Sequence, residues 1–231
     1  MAKSEKAVMD QASVLEAIKR SGTGKVKVAA ADVDGVLRGK YLHVEKFFSA
    51  VEGGFGFCDV VFGWDMNDQT YDNTKLTGWH KGYPDAMVQL DLATYRTVPW
   101  ENNVPFVLGN FVTQDGAPHP LCPRQLLKRV LARAEKMGYA VKMGAEYEFF
   151  NFAETPHTWA EKKGVEPTTI TPGMFGYSLL RANLNREYFN ALMDETAKFG
   201  IPIEGLHTET GPGVYEAAIL FSEALEAADR A

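Results

Sequence analysis

The spacing of apolar and polar residues changes along the first part of the chain, and each spacing predicts an element. Apolar residues recur at helical spacing over residues 4–21 and Gly22 follows, which predicts an N-terminal helix. Two β-rich runs, residues 26–33 and 36–42, then flank Asp34-Gly35. Because Asp-Gly favours a type I′ turn, these runs are predicted to form a β-hairpin.

Irregular and extended segments alternate over the next seventy residues. A short helix is predicted over residues 43–51, and the polar stretch 65–84 is predicted to be a long loop, since it is rich in Asp, Asn and Gly. Strands are then predicted over residues 87–92, 94–98 and 106–113. The turn-rich segment 115–120 predicts a domain boundary.

The second half of the chain mixes helices with short strands. Pro123 begins an amphipathic helix that ends at Gly138. The elements predicted after it are a strand over 139–152, an irregular excursion over 153–173, a helix over 185–199, strands over 203–209 and 214–220, and a helix over 223–231 capped by Ser222. The pattern predicts an α+β protein with an N-terminal helix (1–22), an N-terminal domain (23–114) and a second domain (115–231).

Composition narrows the class of protein. The 231 residues are 45% hydrophobic and 23% charged, as in an average globular protein, and the net charge is −6. A basic stripe is absent, which argues against a nucleic-acid partner. Two cysteines, Cys58 and Cys122, form neither a disulfide framework nor a CxxC site. With no apolar signal core and no membrane-length apolar run, we expect a cytoplasmic protein without membrane partners.

The strand 139–152 carries an unusual acidic pair. Glu146 and Glu148 are two residues apart and project from one face, where their charges repel. A strand with a solvated outer face is one interpretation. The other is that a cation compensates the pair, and this gains weight from a second acidic segment downstream.

That second segment brings two more carboxylates and a histidine. Glu209 and Glu216 lie on either side of Gly211-Pro212-Gly213, whose glycines allow a sharp turn that can point both carboxylates at one cavity. His207 shares the strand face of Glu209. Alone, it is more often a structural histidine. Together these oxygen ligands and one imidazole suit Mg²⁺ or Mn²⁺, and such ions commonly serve phosphoryl transfer.

Two motifs resemble a known family. GAEYEFF (144–150) is similar to the metal-binding strand of the glutamine synthetase family, and LHTETGPGVYEAAI (206–219) resembles that family's HxExGPGQxE segment. The hairpin with Arg38-Gly39-Lys40 looks like the family's β-grasp domain, and Pro123-Arg124 looks like its domain-entry helix. The resemblance implies a β-grasp-like N-terminal domain followed by the first half of the family's catalytic domain.

The resemblance also implies an activity and a set of roles. It implies an ATP-dependent ligase that joins ammonia or an amine to glutamate through γ-glutamyl phosphate, in a homo-oligomeric ring. Metal ligands by motif position are Glu148, Glu209 and Glu216 for the ion facing glutamate, and Glu146 for the ion facing ATP. Asp65 and Tyr177 fall near the family's ammonium-site residues, and His207 and Gly211 fall on the substrate side.

Two departures from the family pattern leave alternatives open. Val214 stands where the family has glutamine, so a γ-glutamyl-amine or γ-glutamyl-polyamine ligase is an alternative to strict use of ammonia. The family's later motifs do not occur by residue 231, so we expect this chain alone to be inactive. A non-catalytic metal-binding module is a second alternative. A carboxylate-based glycoside hydrolase ranks last, since it explains only two of the glutamates.

Overall fold

The computed structural model describes residues 9–231, and the chain divides into two compact units, Met1–Tyr139 and Ala140–Ala231. Both units mix helices with strands. Within the described residues, no helix has the length and apolar character that crossing a membrane would need.

A five-stranded sheet forms the first unit, in the order β2-β1-β5-β4-β3. The central pair β1 and β5 is parallel, and every other neighbouring pair is antiparallel. The strands are β1 (Lys25–Ala31), β2 (Leu37–His43), β3 (Phe55–Cys58), β4 (Asp85–Val98) and β5 (Val104–Val112). Every residue of β5 is buried, as expected for a central strand covered on both faces.

The predicted hairpin is present as β1 and β2, but the prediction of a two-residue turn between them is wrong. Five residues connect the strands, because the buried Asp32 organises a wider turn. Its carboxylate accepts the backbone N–H groups of Asp34 and Val36, each at 3.0 Å, and Arg38 Nε donates to it at 2.7 Å. These bonds satisfy a carboxylate that would otherwise be costly to bury.

Three helices complete the first unit: α1 (Gln11–Arg20), α2 (Val44–Gly53) and α3 (Pro123–Lys136). Residues 4–8 of the predicted first helix lie outside the described residues. The helix begins at Gln11 because the Asp10 carboxylate caps it, accepting the N–H of Ser13 at 2.8 Å. The two strands predicted over 87–98 are one strand, β4, with a bulge between Asp91 and Arg96.

The core of the first unit lies between the sheet and helices α1 and α2. Val14 and Ile18 of α1 and Phe47 of α2 are fully buried in one cluster with β-strand residues. The predicted long loop 65–84 is irregular, apart from a 3-10 turn at Trp79–Lys81. The core therefore rests on the sheet and its helices, and the loop lies outside it.

A buried ionic network joins α3 to this sheet. Arg124 Nη1 donates to Asp91 Oδ2 and to Asn110 Oδ1, both at 2.8 Å, and Lys128 Nζ lies 3.1 Å from the same Asp91 oxygen. Burial alone would raise the pKa of Asp91, but hydrogen bonds and charge from Arg124 and Lys128 outweigh it and lower that pKa. The carboxylate is therefore held in its charged form.

This network places α3 within the first unit, whereas the sequence predicted a boundary between residues 114 and 115. Contacts divide the chain after Tyr139. The predicted domain limits follow from the resemblance to a known family. A division of the chain by contacts does not test them, so they stay a prediction.

The second unit contains a three-stranded antiparallel sheet in the order β7-β9-β8 and a two-stranded sheet, β10-β6. Its strands are β6 (Lys142–Met143), β7 (Glu146–Phe150), β8 (Ile203–Thr208), β9 (Val214–Ile219) and β10 (Ser222–Glu223). Its helices are α4 (Pro156–Glu161), α5 (Leu179–Leu184), α6 (Arg186–Phe199) and α7 (Ala224–Arg230). The helix predicted over 185–199 corresponds to α6.

Three predictions for this unit are wrong in detail. The strand predicted over 139–152 is broken, because β6 pairs with β10 while β7 pairs with β9. Ser222 belongs to β10, and Glu223 precedes α7 in the cap position. The excursion 153–173 contains helix α4, which the Thr155 hydroxyl caps by accepting the N–H of Thr158 at 3.1 Å.

One face of the three-stranded sheet packs against α6. Tyr215 of β9 is fully buried, with ring centroids 5.7 Å from Tyr188 and 4.6 Å from Phe189. Since side chains alternate along a strand, the residues next to Tyr215 point to the opposite face. That opposite face carries the acidic residues.

Asp91→Asn tests the network that holds α3. The substitution leaves Arg124 buried beside a neutral partner, so we expect it to lower the unfolding free energy by about 2–4 kcal/mol. Because the pKa of Asp91 is lowered on folding, its contribution is present above its unfolded pKa and is lost as pH falls through the folded value.

Urea unfolding of the 231-residue chain at neutral and acid pH measures this effect. Glu135→Gln, at an exposed position on the same helix, is the matched control and should change stability by less than about 0.5 kcal/mol. Equal stability of Asp91→Asn and the unsubstituted chain at neutral pH would contradict the assignment.

Candidate metal centre

The centre is built on the register of β9 between its two neighbours. Glu216 of β9 pairs directly with Glu148 of β7 on one side and with His207 of β8 on the other. Residues directly opposite in neighbouring strands share a sheet face, so these three side chains form one row. Glu146 lies two residues before Glu148 on the same face, opposite Ala218.

Glu209 joins this row through the turn that links β8 to β9. Its backbone N–H donates to Val214 O at 2.8 Å, which closes the turn. Gly211 has φ +152° and Gly213 has φ +71°, a backbone region that favours glycine. A Cβ at Gly213 would lie 2.6 Å from Asn151 O, so this turn requires glycine there.

Three of these side chains converge. One ligand atom from each of His207, Glu209 and Glu216 lies within 4.8 Å of the other two. Nε2 of His207 is 3.6 Å from Oε1 of Glu216. The backbone N–H of Thr210 donates to the Glu209 carboxylate, and this bond lowers the pKa of Glu209. The Glu209 carboxyl is thus held in its charged form.

The orientation of His207 is set by two neighbours. Its ring stacks on Tyr177, with centroids 4.3 Å apart and planes 27° from parallel. Nδ1 lies 3.2 Å from Thr208 O, which suits an N–H donor to that carbonyl. The other nitrogen, Nε2, is therefore the one that faces the carboxylates.

Tyr177 is itself held by strand β8, although most of its ring is exposed. Its backbone N–H donates to Thr208 O at 2.7 Å, and Ser178 N–H donates to Thr208 Oγ1 at 2.9 Å. The sequence motifs do not single out Thr208 as a site residue. The sequence indicates only that Thr208 lies between His207 and Glu209, so that alternation along the strand points its side chain to the buried face.

Asp65 lies in the other unit, and its carboxylate has a local role there. Oδ1 accepts the backbone N–H groups of Asn67 at 2.8 Å and Gln69 at 3.0 Å. Arg38 donates to the backbone carbonyl of Asp65 at 3.2 Å. These bonds order the start of the long loop, and a role for Asp65 in the reaction stays a prediction.

The donor set fits a hard divalent cation. Over the described residues, no lysine or arginine forms an ion pair with Glu146, Glu148, Glu209 or Glu216. Carboxylates crowded on one face without a lysine or arginine partner repel one another, and a bound cation removes that cost. Oxygen ligands of this kind suit Mg²⁺ or Mn²⁺.

A cleft of about 210 Å³ adjoins the Tyr177–His207 pair. Its walls are mostly apolar side chains of α5, α6 and β8, among them Leu179, Ala182, Phe189 and Leu206. The sequence pattern does not predict this cleft, because α5 lies in a stretch for which that pattern predicts no element. An apolar cleft beside a polar row can select the non-reacting part of a substrate.

Comparison with known proteins finds similarity to the glutamine synthetase family. The glutamine synthetase catalytic domain matches residues 120–231, the part that contains the acidic row. Type-1 glutamine synthetase 2 of Dictyostelium discoideum is 50% identical over 218 residues, covering 94% of this chain and 42% of that protein. Glutamate–isopropylamine ligase of a Pseudomonas species is 31% identical over 219 residues, covering 94% of this chain and 48% of that protein.

Comparison with solved structures finds the same type of fold. A solved GmaS/ADP complex superposes with a TM-score of 0.74 at 20% identity, covering 94% of this chain and 46% of that one. The shared architecture is a mixed α/β fold of the glutamine synthetase type. The chain belongs to the glutamine synthetase family, and it spans about half the length of the curated relatives it matches.

Glu216→Gln tests the centre of the row. Since Glu216 lies between Glu148 and His207, losing its charge should raise the Kd for Mn²⁺ by about 100-fold or more. Titration calorimetry of the 231-residue chain measures the change. Glu187→Gln, at an exposed site on α6, should leave the Kd within about twofold, as expected for a surface change. Unchanged binding by Glu216→Gln would place the ion elsewhere.

Proposed function

We propose that this chain is part of an ATP-dependent ligase that joins ammonia or an amine to the γ-carboxylate of glutamate. The observation that carries the proposal is the row of Glu148, Glu216 and His207 across three strands, with Glu209 closing one end. The family and its named relatives support the same reaction class. The substrates are glutamate, ATP and the nitrogen nucleophile.

The proposed reaction has two steps. A γ-carboxylate oxygen of glutamate attacks the γ-phosphorus of ATP, so that a new P–O bond forms and ADP leaves. The amine nitrogen then attacks the acyl carbon of γ-glutamyl phosphate, phosphate leaves with the former carboxylate oxygen, and the proton that the nitrogen loses is taken up by the released phosphate. The first step brings two anions together, and the bound divalent ions supply positive charge that offsets their repulsion.

Each residue of the row has a separate role in these two steps. Glu148, Glu209 and Glu216 would hold one ion, on the glutamate side, and Glu146, two residues along β7, would hold a second, on the ATP side. The sharp backbone turn at Gly211 lies beside the glutamate site. His207 borders that site, and Tyr177, stacked on His207, borders the amine. Asp65 is assigned to the amine from sequence position alone.

The apolar cleft favours an amine over ammonia as the acceptor. Ammonia has no substituent to place in about 210 Å³ of mostly apolar space. An alkyl or aryl group on the nitrogen would bury apolar surface there, which strengthens binding. Val214, in place of the family's glutamine, lies two residues before Glu216 on the same face of β9. A γ-glutamyl-amine ligase is therefore the second candidate, and a relative is named for isopropylamine.

The wider organisation of the protein is also part of the proposal. The first unit has the elements of a β-grasp domain: a hairpin, a helix across one sheet face, and a last strand parallel to the first. We assign residues 1–22, which contain helix α1, to an N-terminal segment, 23–114 to that domain and 115–231 to the first part of the catalytic domain. A homo-oligomeric ring in the cytoplasm completes the proposal.

Turnover tests the proposed function directly. We define the full-length protein as this chain continued to the length of its relatives. With Mn²⁺, ATP, glutamate and each of ammonia, isopropylamine and ethanolamine, it should release phosphate only when all components are present. The 231-residue chain alone should show no turnover. Phosphate release by that short chain would refute the expected inactivity, and a full-length protein inactive with every amine would favour a non-catalytic metal-binding module.

Ala182→Leu tests the role of the cleft. A leucine at this wall position fills part of the apolar space, so the KM for isopropylamine should rise about tenfold, in line with the loss of one or two buried methyl contacts. The KM for ammonia should not change. Asn183→Leu, on the exposed side of α5, is the matched control. Equal effects on both nucleophiles would assign the cleft a structural role only.

A further inference from the structure

Arg181 of α5 is a partly buried cation that forms no ion pair with a carboxylate of the described residues. Its guanidinium instead lies over the ring of Phe175, 3.9 Å from the ring centroid. Because this contact uses the flat face of the guanidinium, the N–H groups at its edge are left to donate to a ligand. Other cations of the second unit do pair with carboxylates: Lys142, Lys162, Lys198 and Arg230.

The space beside Arg181 is narrow and lies at one end of the acidic row. Thr208, Glu209 and Gly211 also line it. Its volume is about 10 Å³, which is enough for roughly one water-sized group. A carboxylate oxygen fits such a space, whereas a phosphate group is too large. The narrow cleft therefore suits a carboxylate as the anion that Arg181 binds.

The helix that carries Arg181 also lines the apolar cleft of about 210 Å³. Leu179 and Ala182 of α5 contribute to that cleft, and Thr208 lines both spaces. Ser178 fixes the start of the helix, since its N–H donates to Thr208 Oγ1 at 2.9 Å and its hydroxyl accepts the Arg181 N–H at 3.3 Å. Arg181 is thus held next to the space that takes the substituent of the amine.

We propose that Arg181 binds a carboxylate of the acceptor amine, so that the acceptor is an amino acid. The inference rests on the ligase function proposed above. The apolar side chain of the acceptor occupies the large cleft, and its carboxylate accepts N–H groups of Arg181 in the narrow one. Glu209 lines the narrow cleft too, but its carboxylate accepts the Thr210 N–H and its charge is offset by the proposed cation. The amine nitrogen joins the γ-carbonyl carbon, and the product is a γ-glutamyl dipeptide.

Alanine and isopropylamine are a matched pair of acceptors, since alanine carries a carboxylate where isopropylamine carries a methyl group. With Mn²⁺, ATP and glutamate, the full-length protein should use both. Arg181→Met removes the charge, so the ratio of kcat/KM for alanine to kcat/KM for isopropylamine should fall about tenfold or more. Arg181→Lys should keep part of the ratio, because it keeps the charge but loses the planar fork. Arg186→Met, at an exposed arginine of α6, is the control and should change the ratio less than about twofold.

The outcomes separate this inference from the proposed function. Turnover of isopropylamine or ammonia without turnover of alanine would overturn the inference and leave the ligase function standing. An unchanged ratio in Arg181→Met, or a rise in the KM for glutamate in place of the change in ratio, would overturn it as well. Loss of ammonia turnover in that variant would assign Arg181 a structural role and likewise overturn the inference. A full-length protein that turns over no nucleophile would overturn both.

Discussion

Strand β9 lies between two antiparallel neighbours, and its register determines the site. Because Glu216 pairs with Glu148 on one side and with His207 on the other, three separate chain segments deliver their side chains to one row. A slip of one residue would send Glu216 to the α6 face and bring Tyr215 to the acidic face. The fully buried Tyr215, packed on Phe189, resists that slip.

The same alternation explains how one short strand serves both stability and chemistry. The face that carries Tyr215 buries aromatic surface against α6, which stabilises the sheet. The opposite face concentrates negative charge that weakens the sheet unless a cation is bound. The stability gained by burial on one face therefore offsets the charge repulsion on the other. Charged groups held together at such a cost are typical of functional sites.

Much of this arrangement could be predicted from local sequence signals. Alternation placed Glu146 and Glu148 on one strand face, and the glycines around Pro212 indicated the turn between Glu209 and Glu216. The pairing of Glu216 with both neighbours could not be predicted, because register depends on contacts between distant segments.

Other features lay outside the reach of sequence patterns. The hairpin was predicted, but its wider turn depends on the buried carboxylate of Asp32, whose partner Arg38 lies in the next strand. Helix α5 and its cleft were missed because its apolar residues remain largely exposed, so no amphipathic pattern marks it. Asp65 stays a sequence-based assignment, since its carboxylate orders its own loop.

Isotope transfer from glutamate to phosphate tests the central claim most directly. The full-length protein would be supplied with ATP, Mn²⁺, an amine and glutamate labelled with ¹⁸O in its γ-carboxylate. The account predicts that each phosphate released carries one ¹⁸O atom from glutamate, because that oxygen attacks the γ-phosphorus and departs with it. Phosphate that is released without the label would contradict a γ-glutamyl phosphate intermediate and the ligase function built on it.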